Sequence, residues 1–219
     1  NGHISTREQS NHAIKKEPKD QKELDRLVSY VKKTDDGKYN FIPKRINTIR
    51  IKTWGNFCNL QCLMCSPEDS SAVAQELMDL GEMSEQDILV RSEARSGFKM
   101  PWKPPLITYK DHYIDEKEFL KTVEKTSRIQ LIGGETWLIK QNVQILEECI
   151  KRDWAKNITI FCFSNNFGYP NMQHIFDLLK QFKSVIYKCS MELWGFKNNY
   201  IRYPSNWEEV HKNIKLISK

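Results

Sequence analysis

Apolar and polar positions change period several times along this chain, and each change marks an element. Residues 21–33 place Leu24, Leu27, Val28 and Val31 at helical spacing, which predicts a short amphipathic helix. Before it, residues 1 to about 20 are polar and charged and read as a flexible lead-in. Lys33 to Lys44 carries Asp-Asp-Gly and a proline and reads as a turn and linker, so residues 1–44 stand apart from the rest of the chain. Residues 46–53 then alternate apolar with polar and are rich in β-branched types, the pattern of a strand. Pro67 and Glu68 open a predicted helix running through Leu80.

The stretch from 81 to about 114 reads as an irregular insertion. It contains one helical segment, Glu85 to Arg95, with Ser84 as the cap and Asp87 three residues on. Gly97 to Pro105 is a proline-rich, irregular arm, and the insertion from Gly81 to about Tyr113 is either a substrate-facing lid or a surface excursion whose Trp102 packs on the domain. Beyond it the helix and strand periods alternate regularly. Helices are predicted at 115–126, Leu138 to Arg152, Asn171 to Phe182 and Trp207 to Ile217, the last capped by Ser205 or Asn206. Strands are predicted at Arg128 to Ile132, Ile158 to Phe163 and Val185 to Cys189.

Strand alternating with helix four times argues for an α/β fold with a parallel sheet and helical crossovers. The near-continuous apolar runs predict strands buried on both faces. About four such units do not close a barrel, and Lys219 stands where a further strand is expected. The rest would come from a longer chain or from a second polypeptide. In parallel sheets ligands gather at the carboxyl ends of the strands. The polar motifs fall there: the cysteine run, Gly133-Gly134-Glu135, Ser164-Asn165-Asn166 and Ser190-Met191-Glu192.

Composition narrows the class. The 219 residues suffice for one domain core, and no apolar run approaches the length of a membrane span. Thirty-four basic against 28 acidic side chains give a net charge of +6, a weak preference for acidic partners. Six cysteines, three of them scattered as Cys149, Cys162 and Cys189, do not make a secreted disulfide scaffold. They fit a reducing cytoplasm with thiols free for metal.

The other three, Cys58, Cys62 and Cys65, form a C-x3-C-x2-C run. Three thiolates this close converge on one zinc or iron–sulfur centre, and a three-ligand centre keeps one position open. Structural zinc would ask for a fourth ligand nearby. His112 lies in the insertion and Cys149 within a predicted helix. A non-catalytic zinc module with a basic, nucleic-acid-binding surface remains the alternative to an enzyme.

The cysteine run after the first core strand, followed by Gly-Gly-Glu after the second, resembles the radical S-adenosylmethionine (radical SAM) superfamily. The resemblance covers about Arg45 to Lys219. The stretch Tyr200-Ile-Arg-Tyr-Pro-Ser-Asn-Trp207 resembles members that carry a SPASM or twitch extension. It implies a partial (β/α) barrel, four βα units of an expected six. Cys58, Cys62 and Cys65 would hold three irons of a [4Fe–4S] cluster, the fourth binding S-adenosylmethionine. Reductive cleavage of that cofactor would release a 5′-deoxyadenosyl radical that abstracts hydrogen from the substrate. The resemblance gives Met64 to the adenine, Glu135 to the cofactor amino group with Gly133 and Gly134 allowing close approach, and Ser190 and Arg202 to its carboxylate. Glu192 would reach the ribose hydroxyls, and Asn165 would do the same or face the substrate. No catalytic side chain beyond the cluster ligands is implied. The implied partners are an electron donor such as a flavodoxin or ferredoxin and a substrate that includes peptides or proteins among its classes. Two departures stand out: Thr136 replaces a common proline, and bulky Leu193 and Trp194 precede Gly195, where relatives turn more tightly.

Overall fold

The computed structural model describes residues 31–33, 39–41, 46–52, 55–96, 104 and 116–217. The chain divides into two compact units, Asn1–Lys44 and Arg45–Lys219. In the first, β1 (Val31–Lys33) pairs antiparallel with β2 (Tyr39–Phe41), Val31 opposite Phe41. This corrects the helix expected over 21–33 at its C-terminal end and the linker expected over 33–44. A β-branched residue and two aromatics lie either side of the Asp-Asp-Gly segment, and cross-strand pairing there overrides helical spacing. The lead-in and the remainder of that helix lie outside the described residues.

In the second unit β3 (Ile49–Ile51), β5 (Arg128–Leu131), β6 (Thr159–Ser164) and β7 (Ser184–Cys189) form a parallel sheet in that order. The remaining strands, β4 (Gln61–Cys62) and β8 (Arg202–Tyr203), pair with each other antiparallel. The helices are α1 (Ser71–Asp79), α2 (Glu85–Ser96), α3 (Glu116–Glu124), α4 (Lys140–Lys151), α5 (Met172–Leu179), α6 (Phe196–Ile201) and α7 (Trp207–Ile217). The chain is thus α/β with parallel strands joined by helices, as the alternating periods predict.

The strands are not buried on both faces. Ile129, Leu131, Ile160 and Cys162 are fully buried against Val123, Ile145, Leu146, Cys149, Ile175 and Phe176 of the covering helices. In register beside them on the opposite face, Gln130, Phe161 and Ile186 stay half-buried or exposed. There Lys188 Nζ lies 5.4 Å from the ring centre of Phe161, and Arg50 Nε donates to Gln130 Oε1 at 3.1 Å. A continuous apolar run in β6 (Ile-Phe-Cys-Phe) hides this alternation, because aromatic rings serve a half-covered face as well as a core.

Helix ends follow side-chain chemistry. The helix expected from Pro67 begins at Ser71 instead, because Ser70 accepts the Val73 amide at 3.4 Å and so sets the first turn. Ser84 and Asp87 form the expected reciprocal cap of α2: Ser84 N donates to Asp87 Oδ2 at 2.8 Å and Asp87 N to Ser84 Oγ at 3.2 Å. Most of the span from 81 to 96 is therefore regular helix. Of the arm beyond it, the described residue is Pro104, which is buried. Trp102 and residues 105–114 lie outside. Asn206, not Ser205, caps α7, its Oδ1 accepting the Glu208 and Glu209 amides.

Candidate functional site

The cysteine loop runs from Gly55 to Ser70 beyond the end of β3, and its backbone is fixed from three directions. From α1, Ser70 Oγ donates to Leu60 O at 2.9 Å and Ser71 N to Asn56 O at 2.9 Å. From beyond β6, Asn165 Nδ2 donates to Asn59 Oδ1 and Asn59 Nδ2 to Phe167 O, both at 3.0 Å. From the late segment, β8 pairs with β4 so that Arg202 stands opposite Cys62, and Leu63 N donates to Ile201 O at 2.9 Å.

The Gly-Gly-Glu turn after β5 supplies the closest approach. A Cβ on Gly134 would fall 1.9 Å from Phe57 O, and one on Gly133 would fall 2.4 Å from Gly55 O. Both glycines hold positive φ, +44° at Gly134 and +106° at Gly133. Their missing side chains admit the backbone of the cysteine loop itself, where the resemblance implied close approach of a cofactor. Glu135 N seals the junction by donating to Phe57 O at 2.8 Å.

The result is a cavity of about 410 Å³ at the carboxyl ends of the strands. Its wall includes Cys58, Cys62, Met64, Cys65, Gly134, Glu135, Asn165, Ser190 and Arg202. Nine residues expected from the sequence are thus brought together. Gly133 and Glu192 are not on the wall. Glu192 instead holds Arg202 from behind: both its carboxylate oxygens accept from the guanidinium, Nη2 to Oε1 at 2.6 Å and Nε to Oε2. The third nitrogen, Nη1, points at Cys62 Sγ at 3.6 Å. Arg202's bidentate edge is therefore occupied by Glu192, where the resemblance gave it a cofactor carboxylate.

Glu135 is buried (4% exposed), with Oε1 accepting from Ser164 Oγ at 2.7 Å and Oε2 from Asn165 N at 2.7 Å. Burial nevertheless outweighs these hydrogen bonds and raises its carboxyl to about 7. Asn165 is equally engaged, its Oδ1 accepting Phe167 N at 2.8 Å while Nδ2 holds Asn59. Burial also raises all three thiols, Cys58 to about 11, with Arg202 opposing the rise at Cys62. All six cysteines are free thiols.

Five wall residues were not among the expected site residues: Phe163 and Ser164 at the end of β6, and Ser66, Asp69 and Arg95. Asp69 accepts from Lys52, and Arg95 Nη1 reaches both Asp69 and Ser66. Arg95 lies in the last turn of α2, so the insertion contributes directly to the wall. Helical spacing alone could have paired Arg95 with nothing nearby in sequence, since Asp69 lies 26 residues upstream.

Among the described residues no group of three His, Cys, Asp or Glu stands close enough to hold a single metal ion. The three thiols share one wall, a donor set of the type that an iron–sulfur centre takes. No helix among the described residues is long and apolar enough to cross a membrane. No protein-family model, curated protein or solved structure matches the chain.

Proposed function

We propose that this chain is the cofactor-binding part of a radical SAM enzyme, its parallel strands forming part of a (β/α) barrel. The observation that carries the reading is convergence. Three cysteines from one loop, polar residues from the ends of β5, β6 and β7, and Arg202 of β8 meet on one cavity, although 140 residues separate Cys62 from Arg202. Cys58, Cys62 and Cys65 would hold a [4Fe–4S] cluster, with S-adenosylmethionine on its open iron. Bound together, these groups supply one-electron reductive cleavage of the cofactor to a 5′-deoxyadenosyl radical.

The chain's own residues have definable tasks. Arg202 places positive charge beside Cys62 and favours its thiolate, and Glu192 keeps that guanidinium aimed. Ser164 and the Asn165 amide hold the Glu135 carboxyl as an acceptor on the wall, with lone pairs left for a ligand amine. Met64, exposed on the rim, offers a polarisable contact for a flat ring. Because the thiols are protonated at neutral pH, loading the metal centre releases protons and is favoured as pH rises. An electron donor such as a flavodoxin or ferredoxin, and a reducing cytoplasm, complete the reading.

The test is anaerobic reconstitution with iron and sulfide. The expected product is brown, with broad absorbance near about 400 nm, and forms 5′-deoxyadenosine from S-adenosylmethionine on reduction. Cys62→Ala abolishes this and Cys149→Ala does not. A colourless zinc-loaded protein that ignores the cofactor would refute the proposal.

A further inference from the structure

The half-covered face of the parallel sheet carries charge of one sign. Strands β3, β5, β6 and β7 hold three cations, Arg50, Arg128 and Lys188, and no aspartate or glutamate. Strand alternation puts all three opposite the buried Ile51, Ile129, Leu131 and Cys162, on the same face as Gln130, Phe161 and Phe163. The partner of Arg50 is the neutral Gln130, and the partners of Lys188 are the rings of Phe161 and Phe163. Among the described residues neither cation pairs with a carboxylate. None of the three has a part in the proposed chemistry.

Arg50 and Lys188 start from opposite outer strands of this sheet and lean inward. Arg50 Nε donates to Gln130 Oε1 on β5 at 3.1 Å, and Lys188 Nζ lies 5.4 Å from the ring centre of Phe161 on β6. Gln130 and Phe161 are direct partners in register, about 4.8 Å apart across the sheet. Two charges rooted three strand spacings apart thus stand over adjacent central positions. Because Gln130 gives its oxygen to Arg50, its amide N–H groups are left for another acceptor. From this spot the rings lead to the cavity. Phe161 and Phe163 have ring centres 5.0 Å apart, Lys188 Nζ lies 5.8 Å from that of Phe163, and Phe163 lines the cavity wall.

Two positive charges beside an amide donor match a phosphate monoester, which carries about −1.5 to −2 near neutral pH, better than a single carboxylate. Charges that close on one spot suit a small ligand, whereas a polyanion is met by a charged groove that tracks its backbone. We propose that Arg50, Gln130 and Lys188 bind the phosphate group of a small phosphorylated molecule, whose apolar or aromatic body lies over Phe161 and Phe163 toward the cavity. The phosphate site stands on its own geometry; only the use of the bound molecule as substrate at the cavity rests on the radical SAM reading.

The full chain, free of cofactor, is titrated calorimetrically with phenyl phosphate, benzoate, an acidic peptide and a short single-stranded oligonucleotide. Phenyl phosphate is expected to bind about tenfold more tightly than benzoate. Arg50→Ala and Lys188→Ala should each weaken it about tenfold, with circular dichroism unchanged because both side chains are exposed. Arg50→Lys keeps the charge without the fork and should restore part of the affinity. Lys197→Ala, exposed on α6, should leave it unchanged. Cys58→Ala retains phenyl phosphate binding while losing 5′-deoxyadenosine formation, so the two proposals fail separately. Equal binding of benzoate, unchanged affinity in both alanine variants, or failure of phenyl phosphate to bind, whether or not the peptide or oligonucleotide does, would overturn the phosphate site.

Discussion

The parallel sheet and the cysteine loop are neighbours in the chain yet are held by different forces. On its helix-covered face the sheet is apolar: Ile129, Leu131, Ile160, Leu146 and Cys149 are inaccessible to water and gain from burial in proportion to area. In the loop, Leu60 is the one large apolar side chain that is fully buried, and polar atoms do the rest: Ser70, Ser71, Asn56, Asn59 and the Phe57 carbonyl. Apolar packing is non-directional and tolerates compensating changes of shape. Hydrogen bonds fix atoms in place and fail when one partner goes. The loop that carries three cysteines is thus built of the second kind and carried on the first.

The contrast can be tested by perturbing each side. Leu146→Ala opens a hole in the packed face and should cost about 4 kcal/mol in denaturant unfolding. Labelling of the Cys58 thiol in the native state should stay slow. If that labelling also accelerates, the two regions are not independent. Gly134→Ala forces a methyl group into the Phe57 carbonyl at a positive φ. It should cost about 3 kcal/mol, and here Cys58 labelling should rise sharply.

Glu135 sharpens the comparison through pH. Its carboxyl titrates near 7 when folded, against 4.5 ordinarily, so the folded state holds a proton that the unfolded chain has released. This contribution is fully present below about pH 4.5 and is lost as pH rises through about 7, a change of up to about 3 kcal/mol. Unfolding of the cofactor-free protein across this window should show the slope, and Glu135→Gln should flatten it. The smallest effect is expected for Asn59→Ala. Losing the bonds to Asn165 and Phe167 should cost about 1 kcal/mol, visible as faster amide exchange in the loop with the sheet amides unchanged.

What could be read from the sequence obeys the same division. Strands and helices were legible wherever one period persists, as in α7, whose bounds agree at both ends, and in the Ser84–Asp87 cap. Glu135, Asn165 and Ser190 were legible because each comes just after a strand, whereas Met64 and Arg202 were reached through the family resemblance. The exceptions are long-range and polar. The β4–β8 pair spans two residues on each strand and carries no periodic signal. The Glu192–Arg202 pair was hidden because each residue suited a ligand role on its own. Pro67 has the look of a helix start, but the Ser70 hydroxyl, serving both Val73 and Leu60, moves that start to Ser71. At Val31–Lys33 pairing with Tyr39–Phe41 prevailed over helical spacing.

The β4–β8 clasp has a consequence for how the protein is made. Its two sides are 140 residues apart, a span that raises contact order locally far above that of the neighbouring parallel pairs. At ordinary translation speeds Cys62 is synthesised on the order of ten seconds before Arg202. During that interval Cys62 has neither the burial that raises its thiol nor the guanidinium that opposes the rise. The cysteine loop thus reaches its finished geometry only after every strand of the parallel sheet has been made.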